Sequence, residues 1–206
     1  MANVSRPWGF KPLKHVNGSP FNGQVTLYHI AAATAGAMAV GDLVDLSGAS
    51  DANGVPGIVR AASVDGPFLG AIVGFLPSGT APVDGKLMTG TADLSLSGFR
   101  PTLTERYALV ADATDIVFVA QGNGTFGWTT DAGLNASALL TGAAANGNAG
   151  MSNMEVDLST KAVTATLGLK VLGAMRGLEN DPTDSANVKL EVMINIHRKN
   201  QGVLGV

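Results

Sequence analysis

The chain has 206 residues, enough for one domain that buries roughly 70% of its extended surface without staples. The absence of cysteine excludes a disulfide framework, a thiolate metal site and a Cys nucleophile. The 13 basic and 16 acidic residues give a net charge of -3, without the basic clustering expected of a nucleic-acid binder. Charged residues make up only 14%, against about 25% in a typical soluble domain, and the 27 glycines are near twice the usual frequency. Such a surface neither solvates nor repels strongly, which suits a subunit packed against others. A turn-rich β domain with glycine in its turns accounts for the same numbers.

Residues 1–23 read as an extended arm. Pro7, Pro12 and Pro20 oppose regular structure, and Asn17-Gly18 and Asn22-Gly23 are turn dipeptides. The arm still carries Trp8, Phe10, Leu13 and Phe21, too much apolar surface to stay in water. It is therefore expected to lie on its own domain or on a neighbouring subunit. The same stretch lacks an apolar signal region and a cleavage site, and no apolar run reaches the roughly 18 residues that span a bilayer. The expectation is synthesis and first residence in the cytoplasm, with no membrane partner.

Residues 24–30 (Gln-Val-Thr-Leu-Tyr-His-Ile) are the first clear strand, β-branched and aromatic. Residues 31–40 show no usable period; 41–46 read as a turn feeding a strand, 47–57 as a loop and 58–62 as a short strand. The apolar run 69–76, bounded by Pro67 and Pro77, predicts a buried strand. Residues 77–103 are rich in turns, with a short alternation at 94–96. Residues 107–111 and 116–121 flank Asp112-Ala-Thr-Asp115 and read as a hairpin. Residues 122–153 form the loosest region, a loop-rich insertion with a short helix expected over 135–140. Two alternating strands close the chain, 163–173 and 188–197. In the last, Val188, Leu190, Val192, Ile194 and Ile196 share one face, and Lys189, Glu191, Met193, Asn195 and His197 the other. Short strands spaced by turns predict an all-β single domain, a β-sandwich or jelly-roll-like fold with the N-terminal arm and long loops, spanning 24–206.

Candidate chemistry is sparse. Gly122-Asn-Gly-Thr-Phe-Gly127 matches the dinucleotide pattern after a strand, but Trp-Thr-Thr-Asp-Ala-Gly follows where a helix should open, and no carboxylate stands at the ribose position. His15, His29 and His197 fall in unrelated segments without metal-ligand spacing. The polar run Glu179-Asn-Asp-Pro-Thr-Asp184 offers oxygens for a hard cation, yet Asx-Pro turns have the same composition. Asp112 and Asp115 read as turn residues rather than an acid/base pair. No nucleophile elbow occurs and no cofactor or metal is implied, so the reading is of a protein that is not an enzyme.

Several segments together resemble the capsid decoration, or cement, proteins of tailed bacteriophages. They are Pro7-Trp-Gly-Phe-Lys-Pro-Leu13, Asn17-Gly-Ser-Pro-Phe-Asn-Gly23, the strand from Val25 to Ile30, Val40-Gly-Asp-Leu-Val44 and Gly70-Ala-Ile-Val-Gly-Phe75. Tyr107-Ala-Leu-Val-Ala-Asp112, Val117-Phe-Val-Ala-Gln121, Leu169-Lys-Val-Leu-Gly173 and Ile194-Asn-Ile-His197 complete the set. The signal is their order along the chain, since each is short, and 122–153 matches poorly. The resemblance implies a β-sandwich virion subunit, oligomeric as a trimer, that binds the outer surface of an icosahedral head and bridges subunits of the major capsid protein. Trp8, Phe10, Leu13 and Phe21 are the expected interface residues, since aromatics dominate interface energetics. Deleting residues 1–23 is then expected to abolish capsid binding and leave the domain folded. The competing reading is a fibre or head-surface module that binds host glycans, which needs exposed aromatics beside carboxylates.

Overall fold

A computed structural model describes residues 3–76, 98–141, 151–178, 180–200 and 205–206. The described residues are all-β, in the single-domain, layered form that the alternation predicts. The strands are β1 (Lys11–His15), β2 (Thr26–Ile30), β3 (Met38–Ala39), β4 (Leu43–Ser50), β5 (Pro56–Arg60), β6 (Gly70–Phe75) and β7 (Phe99–Arg100). They continue with β8 (Arg106–Ala111), β9 (Ile116–Asn123), β10 (Asn135–Leu139), β11 (Glu155–Ala162), β12 (Leu169–Ala174) and β13 (Lys189–Ile194).

One layer is a closed five-stranded barrel in the order β2-β5-β4-β6-β8. The other is a six-stranded sheet, β1-β9-β11-β10-β12-β13, in which β9 also pairs with β13. That extra pairing closes β9, β11, β10, β12 and β13 into a second ring, with β1 laid on β9 as an added strand. Each ring fills its own interior. Ile30, Val44, Ile58, Ile72 and Val110 pack inside the barrel, and Phe118, Val156, Leu158, Leu190 and Val192 inside the ring. The ring's core continues through Leu43, Phe68, Ala71 and Ala111 of the barrel side, so the layers share one seam.

Strand β9 is the hub. Its Ile-Val-Phe-Val-Ala-Gln run is buried on both faces, as expected of a strand covered on two sides. It pairs with β1 over 116–119, with β13 over 117–121 and in parallel with β11 at Gly122 and Asn123. Gly122 sits where this ring is tightest. A Cβ there would meet Leu158 Cδ1 at 2.7 Å and Leu190 Cδ1 at 3.0 Å. The glycine of the dinucleotide-like match is thus explained by packing, and the chain continues into turns instead of a helix.

The last strand follows its alternation as far as Ile194, where β13 ends short of the expected 197, and Ile196 is only half-buried. Val188, Leu190, Val192 and Ile194 are all at most 3% exposed. Its polar face is also covered: Lys189 is buried, and Glu191 and Met193 are half-buried within the single chain.

Five expectations are corrected. Residues 107–111 and 116–121 are not a hairpin, because β8 pairs with β2 and β6 in the barrel while β9 belongs to the ring. The turn composition marks a change of direction; here it carries the chain between layers. Residues 163–168 are not strand: Val163 is 89% exposed, and β12 begins at Leu169. The alternation that completes the sheet lies earlier, in β11, where Val156 and Leu158 point inward. Where a helix was expected over 135–140, Asn135–Leu139 form strand β10, since pairing with β11 and β12 overrides the weak helical preference of Asn-Ala-Ser-Ala. The 47–57 loop shrinks to a short turn, because β4 runs to Ser50 and β5 starts at Pro56. Finally, regular structure enters the N-terminal segment despite Pro12. Strand β1 lies at the sheet edge, where a missing N–H is tolerated. The expected 94–96 alternation lies outside the described residues.

Candidate interaction surface

The N-terminal segment is fixed by hydrogen bonds at its start. The backbone N–H of Asn3 donates to Asp184 Oδ2 at 2.7 Å, its side-chain amide donates to the carbonyls of Asp184 and Ala186, and its Oδ1 accepts from Asp181 N–H at 2.8 Å. Arg6 N–H donates to Gln121 Oε1 at 2.8 Å. The Trp8 ring lies 5.7 Å from the Lys189 ammonium, a cation–π distance. Gly9 then takes φ +76°, and a Cβ there would lie 2.5 Å from Ser152 Cβ, so only glycine lets the chain pass. Phe10 N–H donates to Gly41 O at 2.9 Å, and its ring enters the shared core at 1% exposure.

Past Phe10, a register shift between Pro12 and Lys14 makes Leu13 a bulged residue, 37% exposed. Residues 19–21 fold back on the outer edge of β1: His15 N–H donates to Ser19 O and Phe21 N–H to Leu13 O. Phe21 packs half-buried against the core, its ring centroid 6.3 Å from that of His15. Of the four expected interface residues, Phe10 therefore belongs to the protein's own core, Trp8 and Phe21 are half-buried on it, and Leu13 is exposed. Val4 and Val16 join Leu13 as exposed aliphatics of the same segment, at 68% and 58%.

The histidines stay apart. His15 Nδ1 lies 3.1 Å from the Asp115 carboxylate, and His29 Nε2 lies 2.7 Å from that of Glu105. His197 is 1% exposed, and its Nδ1 accepts from Lys199 N–H at 3.1 Å. Its proton therefore sits on Nε2, which has no hydrogen-bond partner. Burial, helped by the Lys199 charge and opposed by Asp112, lowers its pKa to about 4. Among the described residues no group of three or more His, Asp or Glu side chains is placed to hold a metal.

In the polar run before the last strand, Asp181 and Asp184 hold the N-terminal segment at Asn3. Asn180 accepts from Lys189 N–H at 2.8 Å and donates to the carbonyls of Met175 and Lys189. Asp181 Oδ1 accepts from Thr183 N–H and Oγ1, an Asx turn, and Asp184 binds Asn3 and Ala186. Glu179 lies outside the described residues.

Three buried polar knots brace the turns, and of their centres only Asp112 was singled out in the sequence, as a turn residue. Arg100, fully buried, donates to four backbone carbonyls: Thr104 at 2.6 Å, Thr34 at 3.0 Å, Gly36 at 2.6 Å and Ala31 at 3.0 Å. Asp42 accepts from Ser152 Oγ at 2.5 Å and Ala39 N–H at 3.0 Å, with Arg60 Nε at 3.7 Å. Burial pushes its carboxyl pKa up, against those hydrogen bonds and the Arg60 charge. Asp42 and Ser152 are both 0% exposed, so the pair meets no substrate. Asp112, the expected turn residue, accepts from Tyr28 Oη at 2.6 Å, Thr26 Oγ1 at 3.0 Å and Lys199 Nζ at 2.5 Å. Burial and this carboxylate push the Tyr28 phenol well above its ordinary pKa.

Sequence reasoning also missed an open groove of about 500 Å³ on the ring's outer face, lined by Lys14, Trp128, Leu172, Gly173, Arg176 and Glu191 among others. Lys14 and Glu191 form a 2.7 Å ion pair across β9. The Trp128 indole N–H donates to Asp184 O at 3.1 Å, and its ring meets Phe126 edge-on. No family model, curated protein or solved structure matches the chain.

Proposed function

We propose that this chain is a structural virion protein. In this reading it binds the outer surface of an icosahedral phage capsid and stabilises the mature head by bridging major capsid protein subunits. The observation that carries the reading is the N-terminal segment. It begins on Asn3, is pinned by Phe10, and presents Leu13, Val16 and Val4 outward from a fixed edge. An apolar edge already ordered before contact loses little freedom on binding. Repetition of weak contacts over a lattice then supplies avidity, and mass action favours the expanded state that carries the sites. The low charge of the chain suits close packing on such a lattice. Homotrimers on the head surface belong to the same proposal.

The earlier expectation that residues 1–23 are removable does not suit this geometry, because Phe10 fills the protein's own core. Point substitution is the cleaner test. Purified protein is mixed with expanded heads that lack it, and bound protein is measured after sedimentation. The wild type should saturate on expanded heads and bind poorly to unexpanded ones, and a Leu13→Asp, Val16→Asp variant should lose binding at least tenfold while remaining folded. Equal binding by the variant would remove the N-terminal edge from the interface, and no binding by the wild type would end the proposal.

A further inference from the structure

We infer that the groove beside β12 is a docking site for an acidic, apolar segment of a protein partner. A β-bulge builds it. The register of β12 on β13 shifts between Val171 and Gly173, leaving Leu172 unpaired and turning its side chain outward, 38% exposed. Gly173, opposite Glu191, has nothing within 4 Å of where a Cβ would stand, so the groove floor there is bare backbone. Leu172 and the ring of Trp128 supply apolar walls, and the indole N–H is already committed to Asp184 O. What Trp128 offers a ligand is therefore its hydrophobic ring and not a donor.

Charge selects the occupant. The groove holds two cations and one carboxylate. Glu191 is neutralised by Lys14 at 2.7 Å, whereas Arg176 is exposed and makes no ion pair among the described residues. A guanidinium that donates to no group among the described residues, beside an apolar wall, takes a carboxylate in a two-pronged hydrogen bond. An apolar side chain next to that carboxylate then seats between Trp128 and Leu172. The surplus positive charge stands out in a chain whose net charge is -3. This inference does not depend on the capsid reading.

The test uses the full chain and fluorescent hexapeptides of alternating Glu and Leu or Glu and Phe, with Lys-for-Glu versions as controls. Binding is followed by anisotropy and by amide chemical shifts of residues 172–176. The acidic peptides should bind saturably and shift these amides, the basic ones should not, and binding should fall at least tenfold in Arg176→Glu. Leu172→Asp, which sets a carboxylate in the exposed apolar wall, should lose binding while Arg176→Lys keeps part of it. Acidic peptides that fail to bind, or that bind equally well to Arg176→Glu and Leu172→Asp, would overturn the inference. So would saturable binding of neutral oligosaccharides at the same amides with none of the peptides, which would make the groove a glycan site.

Discussion

At the scale of single residues, several turns are held by buried polar groups that the sequence does not advertise. Arg100 alone satisfies four carbonyls of the 31–36 and 104 turns. Arg100→Met keeps the volume and abandons those carbonyls, so it should cost at least about 3 kcal/mol in urea unfolding, and Arg100→Lys should recover little because an ammonium lacks the planar fork. His197 gives a pH signature. The unfolded imidazole titrates near 6.5 and the folded one near 4, so between those values the unfolded chain binds more protons. Stability from this residue is complete above pH 6.5, falls as the pH drops towards 4, and is not lost further below. At about 1.4 kcal/mol per pH unit the loss is at most about 3.5 kcal/mol. Asp42 works the other way, since its raised carboxyl takes up a proton more readily folded than unfolded. The comparison that isolates His197 is therefore His197→Asn, which should flatten the fall in melting temperature between pH 6.5 and 4. An unchanged slope in that variant would assign the pH dependence elsewhere. Neither residue was legible beforehand, because burial of a lone Arg or His is decided by which distant turns converge on it.

At the scale of elements, alternation was readable and partnership was not. The faces of β13 and the continuous burial of β9 follow directly from their apolar patterns. Strand β11 has the same period in Val156 and Leu158 but is diluted by Asp, Ser, Thr and Lys, while the more apolar Val163–Leu167 stretch lies outside the sheet. Turn chemistry at 112–115 was recognised, yet nothing local says that the strands on either side join different layers. The N-terminal segment shows the same division. Its aromatic content signalled packing, and the structure resolves which side chain is structural. Phe10→Ala should cost about 3–5 kcal/mol by opening a cavity, whereas Leu13→Ala should stay within about 0.5 kcal/mol. Equal losses from the two, measured by chemical denaturation, would contradict this division of labour.

At the scale of the whole molecule, two curled β layers share one seam, and buried knots at Asp42, Arg100 and Asp112 brace the turns around it. The all-β class was legible from short alternating strands and abundant turns. The closure of each layer was not, since the barrel closes where β2 meets β8 and the ring where β9 meets both β11 and β13, all distant in sequence. Of the four residues named from the N-terminal segment only Leu13 is exposed, and the groove at Leu172 and Arg176 depends on a bulge that only strand register reveals. The proposed role is adhesion to a repeating lattice through the exposed aliphatics of the N-terminal segment. Purified phage particles, resolved on a stained gel and quantified by mass spectrometry, test that claim most directly. The account predicts this chain at hundreds of copies per particle, close in abundance to the major capsid protein; its absence from the particles would contradict it.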